Sequence, residues 1–196
     1  MTNLERLAAG LMILRANINK RNERYSRLLT AIEDGTDLFS PNSPLQLTDN
    51  EIREIIKILR SDVYSIQKIR RYILLRLDSA LSGGEASYKY SDVTVEHVLP
   101  QNPAPDSIWV TWFPDKEERE KYVNCIGNLV LLSNKKNSQA QNRDFDWKKK
   151  KYFAARKGVS PFVLTSQVLQ EDNWTSEVIE RRQKESIETL KNVWNL

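Results

Sequence analysis

Apolar residues recur every three or four positions through the first third of the chain. Leu4, Leu7, Leu11, Leu14 and Ile18 form a stripe that Tyr25, Leu28 and Ile32 continue. This spacing predicts one long amphipathic helix. "EDGTD" ends it, with Gly35 as the C-terminal glycine. "FSPNSPLQL" is a loop marked by prolines. "TDNE" at 48–51 is a capping box in which Thr48 caps and Glu51 reaches back. The helix it starts turns Ile52, Ile55, Ile56 and Leu59 toward a core. A further helix is predicted from about Asp62, with Val63, Ile66, Ile69, Ile73 and Leu77 on one side, and "LSGGEASYKY" breaks it.

From residue 91 the texture changes. "DVTVEHV" is short, β-branched and alternating, which predicts a strand. "LPQNPAPDS" is an extended loop, and a short helix follows Pro114. "IGNLVLLS" is a second apolar strand entered by a glycine. The next stretch reads as one helix, or two that meet near "RDFD". A last amphipathic helix carries Val178, Ile179, Ile187, Leu190 and Trp194. Trp109, Trp112, Trp147, Trp174 and Trp194 are expected in the core. The fold class is α+β, predominantly helical. A helical connector is expected over 1–83 and an α+β domain over 84–196.

Composition narrows the setting. An apolar fraction of 40% and a charged fraction of 29% are those of an ordinary globular protein. No run of about 18 apolar residues appears, so no membrane span is expected. The amphipathic N-terminus, with an early acid, does not read as a signal peptide. A single cysteine, Cys125, excludes an internal disulfide and a cysteine-based zinc cluster, and points to a reducing cytoplasm. The net charge of +4 is unevenly spread. Residues 134–157 hold nine Lys or Arg against two Asp, a local +7, so the remainder is near −3. Such a block suits a polyanion partner, although a solvated helix face has the same composition.

The only histidine lies in "VTVEHVLPQNP". On a regular strand Glu96 and His97 point to opposite faces. A bend at the strand end brings both to one site. A carboxylate ligates a hard divalent cation, and a neutral imidazole accepts a proton from water. An acid followed by His at a strand end opens the HNH, or ββα-metal, nuclease motif. The motif also needs an asparagine at the second strand, which "GNLVLL" supplies as Asn128, and a ligating His or Asn on the next helix. A spacing of nine residues selects Asn137, with Asn134 and Asn142 nearby.

"VTVEHVLPQNP", "WVTWF", "CIGNLVLLSNKKNSQAQNRDFDWKKKKYF" and "NWTSEVIERR" together resemble the C-terminal nuclease domain of GmrSD-type restriction and phage-defence proteins, from about residue 50 to 196. The resemblance implies N-terminal helices packed on a ββα-metal core with a C-terminal helix. It implies His97 as the residue that activates water and Asn128 as the middle asparagine that holds the His97 loop. Asn137 and Asn142 both fall on the family's helix signature. One Mg²⁺ or Mn²⁺ is expected between Glu96 and Asn137, with Asn142 as the rival ligand. Lys135, Lys136, Arg143, Lys148, Lys149 and Lys151 are expected to neutralise the phosphates of double-stranded DNA. The usual N-terminal partner in the family is a ParB-like, nucleotide-hydrolysing domain. It is absent from this chain, which holds no Gly-rich phosphate loop. The chain thus reads as a nuclease-bearing fragment or a stand-alone version. A binding or docking module with a degenerate site, and an RNase of the same fold, are the competing readings.

Overall fold

The computed structural model describes residues 3–84, 92–133, 142–154 and 160–196, apart from the side chain of Tyr152. It divides into two compact units, Met1–Leu59 with Lys191–Leu196, and Arg60–Leu190. The division expected near residue 83 therefore falls inside the second unit.

In the first unit the predicted long helix is two, α1 (Asn3–Ile13) and α2 (Ile18–Glu33). Arg15 takes φ 52° between them, and the Asn17 side chain accepts the Lys20 amide at 2.9 Å. An N-cap inside the apolar stripe restarts the helix, and Leu4, Ile18 and Ile32 of that stripe are exposed. The capping box is present. Glu51 accepts the Thr48 amide at 2.8 Å and Thr48 accepts that of Glu51 at 3.2 Å. It opens α3 (Asp49–Leu59), whose Ile55 and Leu59 are fully buried. Gly10 lets α1 approach this layer, since a Cβ there would meet Leu47 Cδ2 at 2.9 Å.

The second unit opens with turns where the pattern predicted helix. Asp62 accepts the Ser65 amide at 2.8 Å and its hydroxyl at 2.6 Å. This side-chain turn outcompetes the helix, which starts only at α4 (Arg70–Leu81). Val63, Ile66 and Ile69 are buried all the same. Strands β1 (Val93–His97) and β2 (Leu129–Ser133) pair antiparallel, from Val93 opposite Ser133 to His97 opposite Leu129. Between them lie α5 (Ile108–Trp112) and α6 (Lys116–Val123). After β2 come α7 (Phe145–Lys148), which runs into a π-helical turn (Lys149–Phe153), then α8 (Val163–Ser166) and α9 (Ser176–Trp194).

The small sheet is buried along almost its whole length because α4 covers both strands and α8 packs on β2. Thr165 of α8 satisfies the Leu131 backbone, donating to its carbonyl at 2.6 Å and accepting its amide at 3.3 Å. Buried Asp78 of α4 accepts the Leu164 amide at 2.7 Å. Trp109, Phe113, Phe145 and Trp174 are buried in one core cluster with Val98, Leu99, Val130 and Leu132. Trp112 and Trp147 are partly buried against it. Among the described residues no helix is long and apolar enough to cross a membrane.

Candidate active site

The site forms where β1 ends and β2 begins. Gly127 enters β2 pressed against α9. A Cβ at this position would lie 2.3 Å from the Ile179 carbonyl oxygen, so only glycine fits. Gln183 accepts its amide at 2.7 Å, and Arg182 donates to its carbonyl at 3.1 Å. The anchored turn fixes Asn128, whose side chain is fully buried. Its Oδ1 accepts the Leu99 amide at 2.8 Å and the Trp174 indole N–H at 2.9 Å. Its Nδ2 donates to the carbonyls of Leu99 at 2.9 Å and Val123 at 2.8 Å. Every hydrogen-bonding position of the amide is used. Asn128 thus clamps the chain two residues beyond His97.

Lys148 reaches the same strand end from α7. Its ammonium has no exposure and donates to Glu96 Oε1 at 2.8 Å, the His97 carbonyl at 2.7 Å and the Val98 carbonyl at 3.2 Å. Burial pushes the Glu96 carboxyl up and the Lys148 ammonium down, and their mutual attraction opposes both shifts. The His97 ring is buried as well. Tyr64 covers it, with ring centroids 4.1 Å apart and a tilt of 56°. Arg70 stacks on Tyr64 at 3.9 Å. His97 Nε2 lies 3.1 Å from Asn124 Oδ1. Burial pushes the imidazole down to about 4. The Asn124 bond opposes this, while the charges of Lys148 and Arg70 add to it. His97 is therefore neutral at pH 7 and carries a lone pair for a proton.

Glu96, His97 and Asn142 line one pocket of about 240 Å³, together with Tyr64, Pro100 and Gln101. A carboxylate, a neutral imidazole and an amide thus meet at a solvent-open hollow beside a two-stranded sheet. The model of the family described as GmrSD restriction endonucleases, C-terminal domain, matches residues 48–188. The chain belongs to this family. No curated protein matches it. As a GmrSD-type C-terminal domain it is a restriction-endonuclease-type nuclease domain.

Within this GmrSD-type domain the cations expected on DNA separate. Lys148 is corrected. Its three N–H groups are spent on Glu96 and two carbonyls inside the protein, so it cannot meet a phosphate. Lys149 is half-buried, donates to the Glu171 carbonyl and stands 5.1 Å from the Phe145 ring centroid. Arg143 and Lys151 are exposed. The Arg143 guanidinium lies over Trp147 at 5.0 Å. Asn137, Lys135 and Lys136 lie outside the described residues. The sequence reading missed Asp62, Tyr64 and Asn124. Asp62 and Ser65 carry the spacing of a side-chain turn, which was legible. Nothing local tied either to a histidine more than thirty residues further on.

Proposed function

We propose that this domain is a metal-dependent DNA endonuclease of the HNH, or ββα-metal, kind that nicks one strand at each visit. Its setting is cytoplasmic, as the effector part of an anti-phage restriction system whose ParB-like NTPase domain lies outside this chain. The observation that carries the reading is the convergence of Glu96, His97 and Asn142 on one open pocket, with the chain beyond His97 clamped by Asn128.

The donor set suits Mg²⁺ or Mn²⁺. The Glu96 carboxylate and the Asn142 amide offer hard oxygens, and the open mouth admits water and phosphate. Asn137 is the rival to Asn142 as ligand. Lys148 already engages Glu96 Oε1, so the site carries little net negative charge and favours a cation that arrives with substrate phosphate. When bound, such a cation polarises the scissile phosphate and stabilises charge at the leaving oxygen. His97 takes the proton of the attacking water, a step that needs the neutral imidazole. Asn128 keeps the His97 loop in place. Arg143 and Lys151, with Lys135 and Lys136, neutralise backbone phosphates without reading sequence.

Conversion of supercoiled plasmid in Mn²⁺, and in EDTA, tests the reading. Wild type should nick only with metal, and His97→Ala should nick at least about a hundredfold more slowly. Equal rates for the two proteins would overturn it. The competing reading is a non-catalytic nucleic-acid-binding or docking module. DNA binding without nicking in Mn²⁺ would select that module, and faster cutting of RNA would select an RNase.

A further inference from the structure

The sequence reading put nothing between Asp62 and His97, yet the two are joined by a short polar chain. Asp62 Oδ2 accepts the Asn124 Nδ2–H at 2.9 Å, and Asn124 Oδ1 faces His97 Nε2 at 3.1 Å. A carboxylate is acceptor-only when ionised. Partial burial pushes the Asp62 carboxyl up, but hydrogen bonds from Ser65 and Asn124 outweigh it and hold the group below its usual value. The acid therefore demands the nitrogen end of the Asn124 amide. That leaves the oxygen end for the histidine, and Gln101 Nε2 donates to the same oxygen at 3.4 Å. The Asn124 backbone is tied in as well, since its carbonyl accepts the Tyr64 amide at 3.2 Å. An oxygen acceptor opposite Nε2 requires a proton on Nε2. In a neutral ring the proton is then absent from Nδ1.

We propose that Asp62 and Asn124 are positioning residues that lock His97 in its Nε2–H tautomer and so make Nδ1 the basic atom of the site. Tyr64, with Arg70 stacked on it, packs against the same ring and limits its rotation. The catalytic consequence rests on His97 being the base of the proposed nuclease. The tautomer does not depend on that reading.

His97 is the only histidine of the chain, so the ring nitrogens give one unambiguous pair of signals in ¹⁵N NMR. The expected spectrum of the metal-free full chain at pH 7 has a protonated Nε2 and a bare Nδ1. Asn124→Ala should turn it into a tautomer mixture. Asp62→Asn should do the same, because an amide at 62 can accept from the nitrogen end of Asn124 or donate to its oxygen end. Asp62 is exposed, so this second variant keeps the fold if the first does not. A wild-type ring protonated at Nδ1 would overturn the lock, as would retention of the wild-type tautomer in Asp62→Asn. Plasmid nicking separates the two layers of inference. A fall in kcat of about tenfold or more, with KM unchanged, supports both. A mixed ring with normal nicking supports the lock and removes His97 from the role of base.

Discussion

Asn124 and Asn128 are four residues apart and serve the same histidine in different ways. Asn128 is fully buried, and its amide is saturated by backbone groups and one indole. Asn124 is half-buried and passes the demand of a carboxylate on to the ring. Lys148 belongs with the first, holding the strand end from inside. Tyr64 belongs with the second, on the pocket side. The difference teaches that a polar group saturated away from water builds the site, while one placed between protein and solvent sets its chemistry.

The sharpest way to break this comparison is to remove the buried cation. Lys148→Met leaves the Glu96 carboxyl without its partner and takes the donor from two carbonyls. Stability should drop by about 3–5 kcal/mol, read by urea denaturation followed by circular dichroism. Adding Glu96→Gln should restore part of it. A drop of less than about 1 kcal/mol would place Lys148 outside the structural set.

Next in size is the pH dependence of the ring itself. His97 titrates near 4 in the folded state, below its ordinary 6.5. Between these values the unfolded chain binds a proton that the folded protein refuses. The stabilisation is complete above pH 6.5 and is lost as pH falls through about 4, the loss reaching about 3 kcal/mol at the acid end. Glu96, shifted upward, contributes with the opposite sign. The difference between wild type and His97→Asn, measured in chelator, cancels that contribution. Parallel stability curves from pH 7 to 4 would show that the ring is not penalised when charged.

The smallest effect belongs to the outer cations. Lys151→Ala should leave stability within about 0.5 kcal/mol of wild type. It should flatten the slope of log affinity for DNA against log salt by roughly one unit. Lys148→Met, in conditions where it folds, should leave that slope unchanged. If Lys148 moves the slope and Lys151 does not, the assignment of inside and outside is reversed.

Much of the fold was legible because local signals and tertiary demand agreed. The capping box, both strands, the helix after Pro114 and the C-terminal helix follow from residue periods and turn chemistry. Two helix starts were misplaced for a common reason. Asn17 and Asp62 each offer the backbone a side-chain acceptor, and an apolar stripe does not register such a stop. Periodicity reports which residues are buried, and it did so correctly for Val63, Ile66 and Ile69 even where the backbone is not helical.

The site divides in the same way. Residue types in order along the chain singled out Glu96, His97 and Asn128, since a strand pair with a short polar signature is a local pattern. The run of lysines looked uniform in sequence, because composition carries no depth. Only packing sent Lys148 inward to three acceptors and left Lys151 in water. Only the tertiary structure brought Asp62 and Asn124, 62 residues apart, into one hydrogen bond facing the histidine. Chain order singled out His97 as the candidate residue, and the contacts between distant segments placed an amide oxygen opposite its Nε2.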